Sequence, residues 1–98
     1  MNFFCRLLPP RPSFAQDMTQ AERDLMQEHA AYWKEWLTRG HVIAFGLVAE
    51  PGGVYGIGIV EFEEEAEVNA FTDGDPTIRS RSGFAFEVHP MPMGVVRA

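Results

Sequence analysis

The sequence predicts a single α+β domain whose four strands and two helices follow in the order βαββαβ. Three observations carry this prediction: one long segment with helical periodicity, two apolar runs joined by a turn, and a last segment of alternating apolar and polar residues. This order favours a ferredoxin-like layer, an antiparallel sheet with both helices on one face. Because 98 residues suit one domain, we expect a single domain over residues 1–98.

The first strand is an apolar run at residues 2–8, which a proline-rich loop ends. The clearest element, an amphipathic helix, follows. Thr19 and Glu22 have capping-box spacing, and Gly40 lies where the helix should end. Large side chains between them share one arc at 3.6-residue periodicity, and these are Leu25, Met26, His29, Trp33, Trp36 and Leu37.

The remaining segments predict three strands and a second helix. The β-rich runs lie at residues 41–49, 55–62 and 84–91. A Pro-Gly-Gly turn at residues 50–53 joins the first two as a hairpin. Residues 63–73 predict the second helix, which Gly74-Asp75-Pro76 breaks, and residues 77–81 predict one further turn.

The predicted strands are apolar on both faces, as residues 2–8 and 42–48 show. In a monomer, one face of such a sheet is normally wetted and polar on alternate positions. A second copy of the sheet, related by a two-fold axis, is the economical cover. Exposed apolar edges would give the same pattern, but we expect a homodimer.

Charge and composition disfavour several partners. With 8 basic against 14 acidic residues, the net charge of −6 disfavours nucleic acid. The lone cysteine, Cys5, has no internal disulfide partner, which fits a reducing compartment. No stretch approaches the roughly 20 apolar residues of a membrane span, and the first residues lack a signal peptide's basic start. We therefore expect a cytoplasmic protein that does not contact the membrane.

His29 and Asp75 are the candidate catalytic residues. His29 is the one titratable side chain on the apolar arc, and it is either a core histidine bonded to a carbonyl or a general acid or base. Asp75 precedes Pro76, which is typical of a helix N-cap. Alternatively, its carboxylate orients His29, a geometry that spacing alone does not show.

Three further residues are candidate substrate-binding positions. Gly56 and Gly58 share one side of a strand, which indicates either close approach by a ligand or room for a packed tryptophan. Arg6 lies in an otherwise apolar strand, and its guanidinium would bind a substrate carboxylate or form an ion pair with Glu61 or Glu87.

No metal or cofactor is expected. The histidines at positions 29, 41 and 89 share no metal-ligand spacing. The glycine-rich segment at residues 52–56 is no phosphate-binding motif, because no helix follows it.

The sequence resembles YciI-like (YCII-related) proteins over essentially its whole length. The resemblance rests on the opening segment at residues 3–12, on Gln27-Glu28-His29-Ala30-Ala31-Tyr32-Trp33, and on Asp75-Pro76 followed by residues 84–92. It implies a ferredoxin-like fold, dimers whose sheets pack as an α+β barrel, and an active site that pairs His29 with Asp75. This chain has Gly46-Leu47 where many relatives have Gly-Pro after the second strand, so the lip of the pocket is expected to differ.

Two functions follow from these observations. The first is a cofactor-independent enzyme that uses His29 and Asp75 for proton transfer in an elimination, isomerisation or hydrolysis of a small anionic or aromatic metabolite. The second is a dimeric module that binds a small molecule or a protein without turnover. The resemblance favours the enzyme, and fold analogy alone does not name its reaction.

Overall fold

The computed structural model of the protein describes residues 1–97. Its elements are β1 (Asn2–Leu8), α1 (Phe14–Asp17), α2 (Gln20–Thr38), β2 (Val42–Glu50), β3 (Gly53–Glu61), α3 (Glu65–Asp73), α4 (Pro76–Arg79) and β4 (Ala85–Met91). The predicted order is confirmed, with α2 and α3 as its two principal helices. The single turn α1 was not predicted, and α4 takes the place of the turn expected at residues 77–81.

The four strands form one antiparallel sheet in the order β2-β3-β1-β4. β1 is therefore central, and its Cys5 pairs with Gly58 of β3 on one side and with Val88 of β4 on the other. The α+β prediction is confirmed, and the topology is compatible with a ferredoxin-like layer. Within residues 1–97, no helix has the length and apolar character needed to cross a membrane.

The N-terminus of α2 is fixed by the predicted capping box. The hydroxyl of Thr19 accepts the backbone N–H of Glu22 at 3.1 Å, and the Glu22 carboxylate accepts the N–H of Thr19 at 2.9 Å. The helix ends before Gly40, whose φ of +90° is a conformation that suits glycine.

The buried arc of α2 differs from the prediction at one position. Trp33 is the fully buried residue of the helix, but Leu37 is 44% exposed. Counting about 100° per residue, Leu37 lies about 80° around the helix from His29, at the rim of the arc. Tyr32 completes the buried side instead, and its hydroxyl donates to the carbonyl of Phe71 at 2.7 Å. The inward placement of Leu37 was therefore wrong.

The core lies between the sheet and the two principal helices. Phe3 and Cys5 of β1 are buried there, together with Val60 of β3. Trp33 and Phe71 meet edge to face above them, with ring centroids 4.8 Å apart. Because alternate strand residues point to opposite faces, the neighbours of these buried residues lie on the side without helices.

That helix-free face is itself largely apolar. Phe4 and Leu8 of β1 and Ile57 and Ile59 of β3 alternate with the buried core residues and remain half-buried. The prediction that the strands are apolar on both faces is thus confirmed within one chain. The homodimer remains an expectation.

Candidate functional site

Asp75 lies immediately before α4 and caps that helix. Its Oδ1 accepts two hydrogen bonds from Thr77, from the backbone N–H at 2.9 Å and from the hydroxyl at 2.8 Å. Pro76 occupies the first helical position, where a missing N–H has no cost. The N-cap interpretation of this residue is correct as far as Oδ1 is concerned.

The other carboxylate oxygen faces α2 and contacts two of its side chains. Asp75 Oδ2 lies 2.8 Å from Nδ1 of His29 and 2.6 Å from Nε1 of Trp33. Asp75 is completely buried, whereas the side chain of His29 is 14% exposed. The fold therefore brings the two candidate catalytic residues, 46 positions apart in sequence, into direct contact.

The hydrogen-bond pattern assigns the protons of this pair. The indole N–H of Trp33 and the backbone N–H of Thr77 are donors only, so each oxygen of Asp75 already accepts at least one bond. Burial by itself would raise the pKa of Asp75, but the hydrogen bond and charge of His29 and both Thr77 bonds together lower it. Asp75 is thus a carboxylate at neutral pH, and His29 is the donor through Nδ1–H.

Nε2 is the ring nitrogen of His29 that Asp75 does not engage. Within residues 1–97, no protein group hydrogen-bonds to it. In neutral histidine with its proton on Nδ1, the other nitrogen carries a lone pair and accepts protons. His29 is therefore held in one tautomer, with its basic nitrogen available to a ligand.

His29 lines a cavity of about 300 Å³ between α2 and the sheet. The strands contribute Leu7, Phe45, Leu47, Gly56 and Phe86. The helix α2 adds Met26, His29, Ala30 and Trp33, and the segment between β1 and α2 adds Pro9, Phe14, Ala15 and Met18. Leu47 is 75% exposed and lies where the sequence departs from the Gly-Pro of YciI-like proteins, so it forms part of the cavity lip.

The two candidate glycines have different surroundings. Gly56 lines the cavity, and a β-carbon there would make only ordinary contacts, the nearest with Leu7 at 3.5 Å. A β-carbon at Gly58 would instead collide with the ring of Trp33. Gly58 thus makes room for a tryptophan, which was one of its two interpretations, and only Gly56 borders the space open to a ligand.

Arg6 is not brought to the cavity. It lies on the helix-free face, where its Nε is 3.7 Å from a carboxylate oxygen of Glu87 and its guanidinium is 4.7 Å from the ring centroid of Tyr55. The ion pair with Glu87 was the structural alternative for this residue. The alternation of β1 explains the placement, since the core residues Cys5 and Leu7 flank Arg6.

Sequence reasoning missed two residues of this site. Trp33 follows His29 by four positions, so both lie on the same stripe of α2, and that spacing was the available signal. Thr77 follows Asp75 by two positions, where an N-cap side chain ordinarily binds.

Metal ligands do not converge in the part of the chain that the structure describes. Across residues 1–97, no three side chains of His, Cys, Asp or Glu are grouped as a metal site would require. Of the described residues in the cavity wall, His29 is the one histidine, and its Nδ1 contacts Asp75 behind it.

A family model for the YCII-related domain matches residues 2–92. The chain belongs to the YCII-related family. A solved structure of similar fold is 5-chloro-2-hydroxyhydroquinone dehydrochlorinase from Burkholderia phenoliruptrix, in complex with 2,5-dihydroxybenzoquinone. It shares 24% identity with this YCII-related protein, with a TM-score of 0.63, over 94% of this chain and 95% of that one. No curated protein sequence matches the chain significantly.

Proposed function

We propose that this YCII-related protein is a cofactor-independent enzyme in which Nε2 of His29 moves a proton to and from a small molecule. The observation that carries the proposal is the 2.8 Å contact between His29 Nδ1 and a buried carboxylate, at the wall of an apolar cavity. A base oriented by a carboxylate beside a ligand-sized pocket is the arrangement that general base catalysis needs.

The proton-transfer step uses the two ring nitrogens separately. Neutral His29 keeps its proton on Nδ1, which donates to Asp75, and Nε2 takes a proton from a C–H or O–H group of the substrate. The resulting imidazolium is stabilised by the Asp75 carboxylate, which stays ionised. Nε2 then returns the proton, either to another position of the same molecule or to a departing group.

Elimination is the form of this chemistry that the comparison favours. The protein of similar fold is named a dehydrochlorinase, an enzyme that removes the elements of hydrogen chloride. In such a reaction a base takes the proton while the leaving group departs with its electron pair. His29 supplies a base of this kind, and no redox step is required.

The homodimer is proposed on the helix-free face. Phe4, Leu8, Ile57 and Ile59 form a half-exposed apolar patch there, which a second copy would cover. Sedimentation velocity should give twice the chain mass for the wild type and a monomer for Ile59→Asp. A monomeric wild type at all concentrations would contradict the pairing.

Exchange of substrate protons with solvent deuterium tests the base directly. We would incubate lactones, quinols and halogenated phenols with the protein in deuterated buffer and follow their acidic C–H signals by NMR. His29→Gln should lower the exchange rate of an active compound at least about 100-fold. His89→Gln, on an exposed part of β4, is the matched control and should exchange normally.

The same experiment separates catalysis from simple binding. A His29→Gln protein that is folded by circular dichroism and retains full exchange would rule out His29 as the base. Compounds that bind in the cavity of the wild type without exchange or turnover would favour the non-catalytic binding module.

A further inference from the structure

We propose that the cavity selects uncharged aromatic molecules with one weakly acidic hydrogen, and that it rejects carboxylates and other anions. This inference rests on the proposed function, since it names the substrate class of the same site. It also narrows the expectation from sequence, which allowed an anionic metabolite.

The wall of the cavity contains no charge that would receive an anion. Among the described residues that line it, none is Lys, Arg, Asp or Glu, and His29 is the one histidine. Tyr55 is the other ionisable lining residue, but its side chain lies on the helix-free face, where its ring packs against Arg6 and its hydroxyl donates to Glu50 at 2.8 Å. An ionised carboxylate moved from water into such a wall would lose its hydration without gaining a partner.

Neither Arg11 nor Arg6 lines the cavity. Arg11, in the segment that covers the cavity, directs Nε to Asp17 at 2.8 Å and both terminal nitrogens to Glu22 at 2.8 Å. Arg6 lies on the opposite face of the sheet beside Glu87. Neither guanidinium is placed to form the bidentate bond that a carboxylate ligand favours.

His29 itself is a poor anion receptor because of Asp75. When Nε2 is unprotonated, the nearest full charge is the buried Asp75 carboxylate, which repels a second anion. When Nε2 is protonated, the positive charge of the imidazolium is balanced by that carboxylate. In both states the pair offers an approaching ligand a hydrogen-bonding group without a net positive charge.

The size and walls of the cavity indicate an aromatic ring. A cavity of about 150 Å³ with apolar walls holds benzene, and this one is about 300 Å³, so it suits a substituted single ring or two fused rings. Trp33, Phe45 and Phe86 present aromatic surface, with Trp33 and Phe45 centroids 5.7 Å apart. Flat aromatic ligands pack well against such faces.

A phenol-type substrate matches both the wall and the base. Its ring is buried without a charge, and its O–H or an acidic ring C–H is presented to Nε2. The proton passes to His29 only after binding, so the substrate enters neutral and the negative charge develops beside the imidazolium formed in the same step. The electron pair left on the substrate then expels a leaving group or returns to accept the proton.

A matched pair of probes tests the selectivity without knowledge of the true substrate. 4-Ethylphenol and 4-ethylbenzoate have the same ring and alkyl group, but only the benzoate is ionised at neutral pH. We would titrate each into the ¹⁵N-labelled protein and follow the Trp33 indole N–H and the Gly56 amide, both at the cavity. The Trp36 indole, outside the cavity lining, reports binding elsewhere.

The phenol should shift the Trp33 and Gly56 signals and leave Trp36 unchanged, and the benzoate should bind at least about tenfold more weakly. Equal or tighter binding of the benzoate at these signals would overturn the proposal. Loss of His29-dependent proton exchange, with the phenol still preferred, would remove the proposed reaction and leave the ligand class intact.

A charge introduced into the wall provides the reverse test. Met26 lines the cavity one helical turn before His29, so Met26→Arg places a guanidinium beside the ligand. The ratio of benzoate to phenol affinity should rise at least about fivefold in this variant relative to Met26→Leu. An unchanged ratio would show that the missing cation does not set the preference.

Discussion

Trp33 donates its indole N–H to the same oxygen of Asp75 that His29 contacts, at 2.6 Å against 2.8 Å. Trp33 therefore forms part of the cavity wall and also holds the carboxylate that contacts His29. With these two bonds and the two from Thr77, the carboxylate of Asp75 takes part in four hydrogen bonds, although Asp75 is completely buried. The site is thus a hydrogen-bonded unit built from α2 and the start of α4.

Trp33→Phe removes one of these donors while it keeps an aromatic ring in place. We expect a loss of about 1.5–3 kcal/mol in the free energy of unfolding at neutral pH, because a bond to a buried charge is lost. Urea denaturation of the variant and the wild type measures this loss. Trp36→Phe is the matched control, since the carboxylate of Asp75 accepts no bond from Trp36 within residues 1–97. If both variants lose the same stability, the indole bond does not stabilise Asp75.

Stability at low pH should depend on Asp75. Its pKa in the folded protein is below the ordinary value of 3.8, so the unfolded chain binds a proton more readily. Its stabilising contribution is therefore complete above pH 3.8 and is lost as the pH falls through the lower pKa of the folded state. Unfolding free energies measured from neutral pH into this acidic range should show the decline.

Two variants separate the contribution of Asp75 to the free energy of unfolding from that of other carboxylates. Asp75→Asn places an amide NH₂ against the N–H of either Trp33 or Thr77, and should cost about 3–5 kcal/mol at neutral pH. Thr77→Val is milder and should cost about 1.5–3 kcal/mol. The deficit of each variant should shrink below pH 3.8. A deficit that stays constant into strong acid would contradict the lowered pKa.

The glycines of β3 should respond in opposite ways to alanine. At Gly58 a β-carbon would lie 2.6 Å from Cη2 of Trp33, so Gly58→Ala should cost about 1–3 kcal/mol through overpacking. At Gly56 the nearest atom is Cβ of Leu7 at 3.5 Å, and Gly56→Ala should be neutral or stabilising by up to about 1 kcal/mol. Thermal unfolding of the pair decides this, and equal melting temperatures would argue against the close packing of Trp33.

Cys5 should be unreactive in the folded protein. It is completely buried, and burial raises the pKa of its thiol to about 12. Because the thiolate is the reactive form, Ellman's reagent at mildly alkaline pH should label the native protein at least about 100-fold more slowly than the unfolded protein. Rapid labelling of the native protein would show that β1 is not enclosed as described.

The main elements could be predicted because their signals are local. The capping box of Thr19 and Glu22 lies within four residues, and the hairpin follows from a four-residue turn. The single turn α1 was missed because four residues carry no helical periodicity. Leu37 was misplaced because it lies at the rim of the apolar arc. Burial there depends on which residues pack against the helix, and spacing along the chain does not show them.

The site was only partly predictable because its contacts cross the fold. Spacing marks His29 as the titratable residue of its helix and Asp75 as a cap, but their contact depends on how α2 lies over α4. The second bond to Asp75, from Trp33, depends on the same packing. Arg6 could have been placed correctly, because strand alternation sets it opposite the core residues Cys5 and Leu7.

The central position of β1 has a consequence for the order in which the protein folds during synthesis. β1 precedes the other three strands of this sheet and pairs on one side with β4, which follows β2 and β3. Phe3, Cys5 and Leu7 therefore lack this neighbour until residues 85–91 have left the ribosome, and pairings so distant in sequence form slowly. A nascent chain stalled before residue 85 lacks one neighbour of its central strand, and it presents an unpaired apolar edge to other chains in the cell.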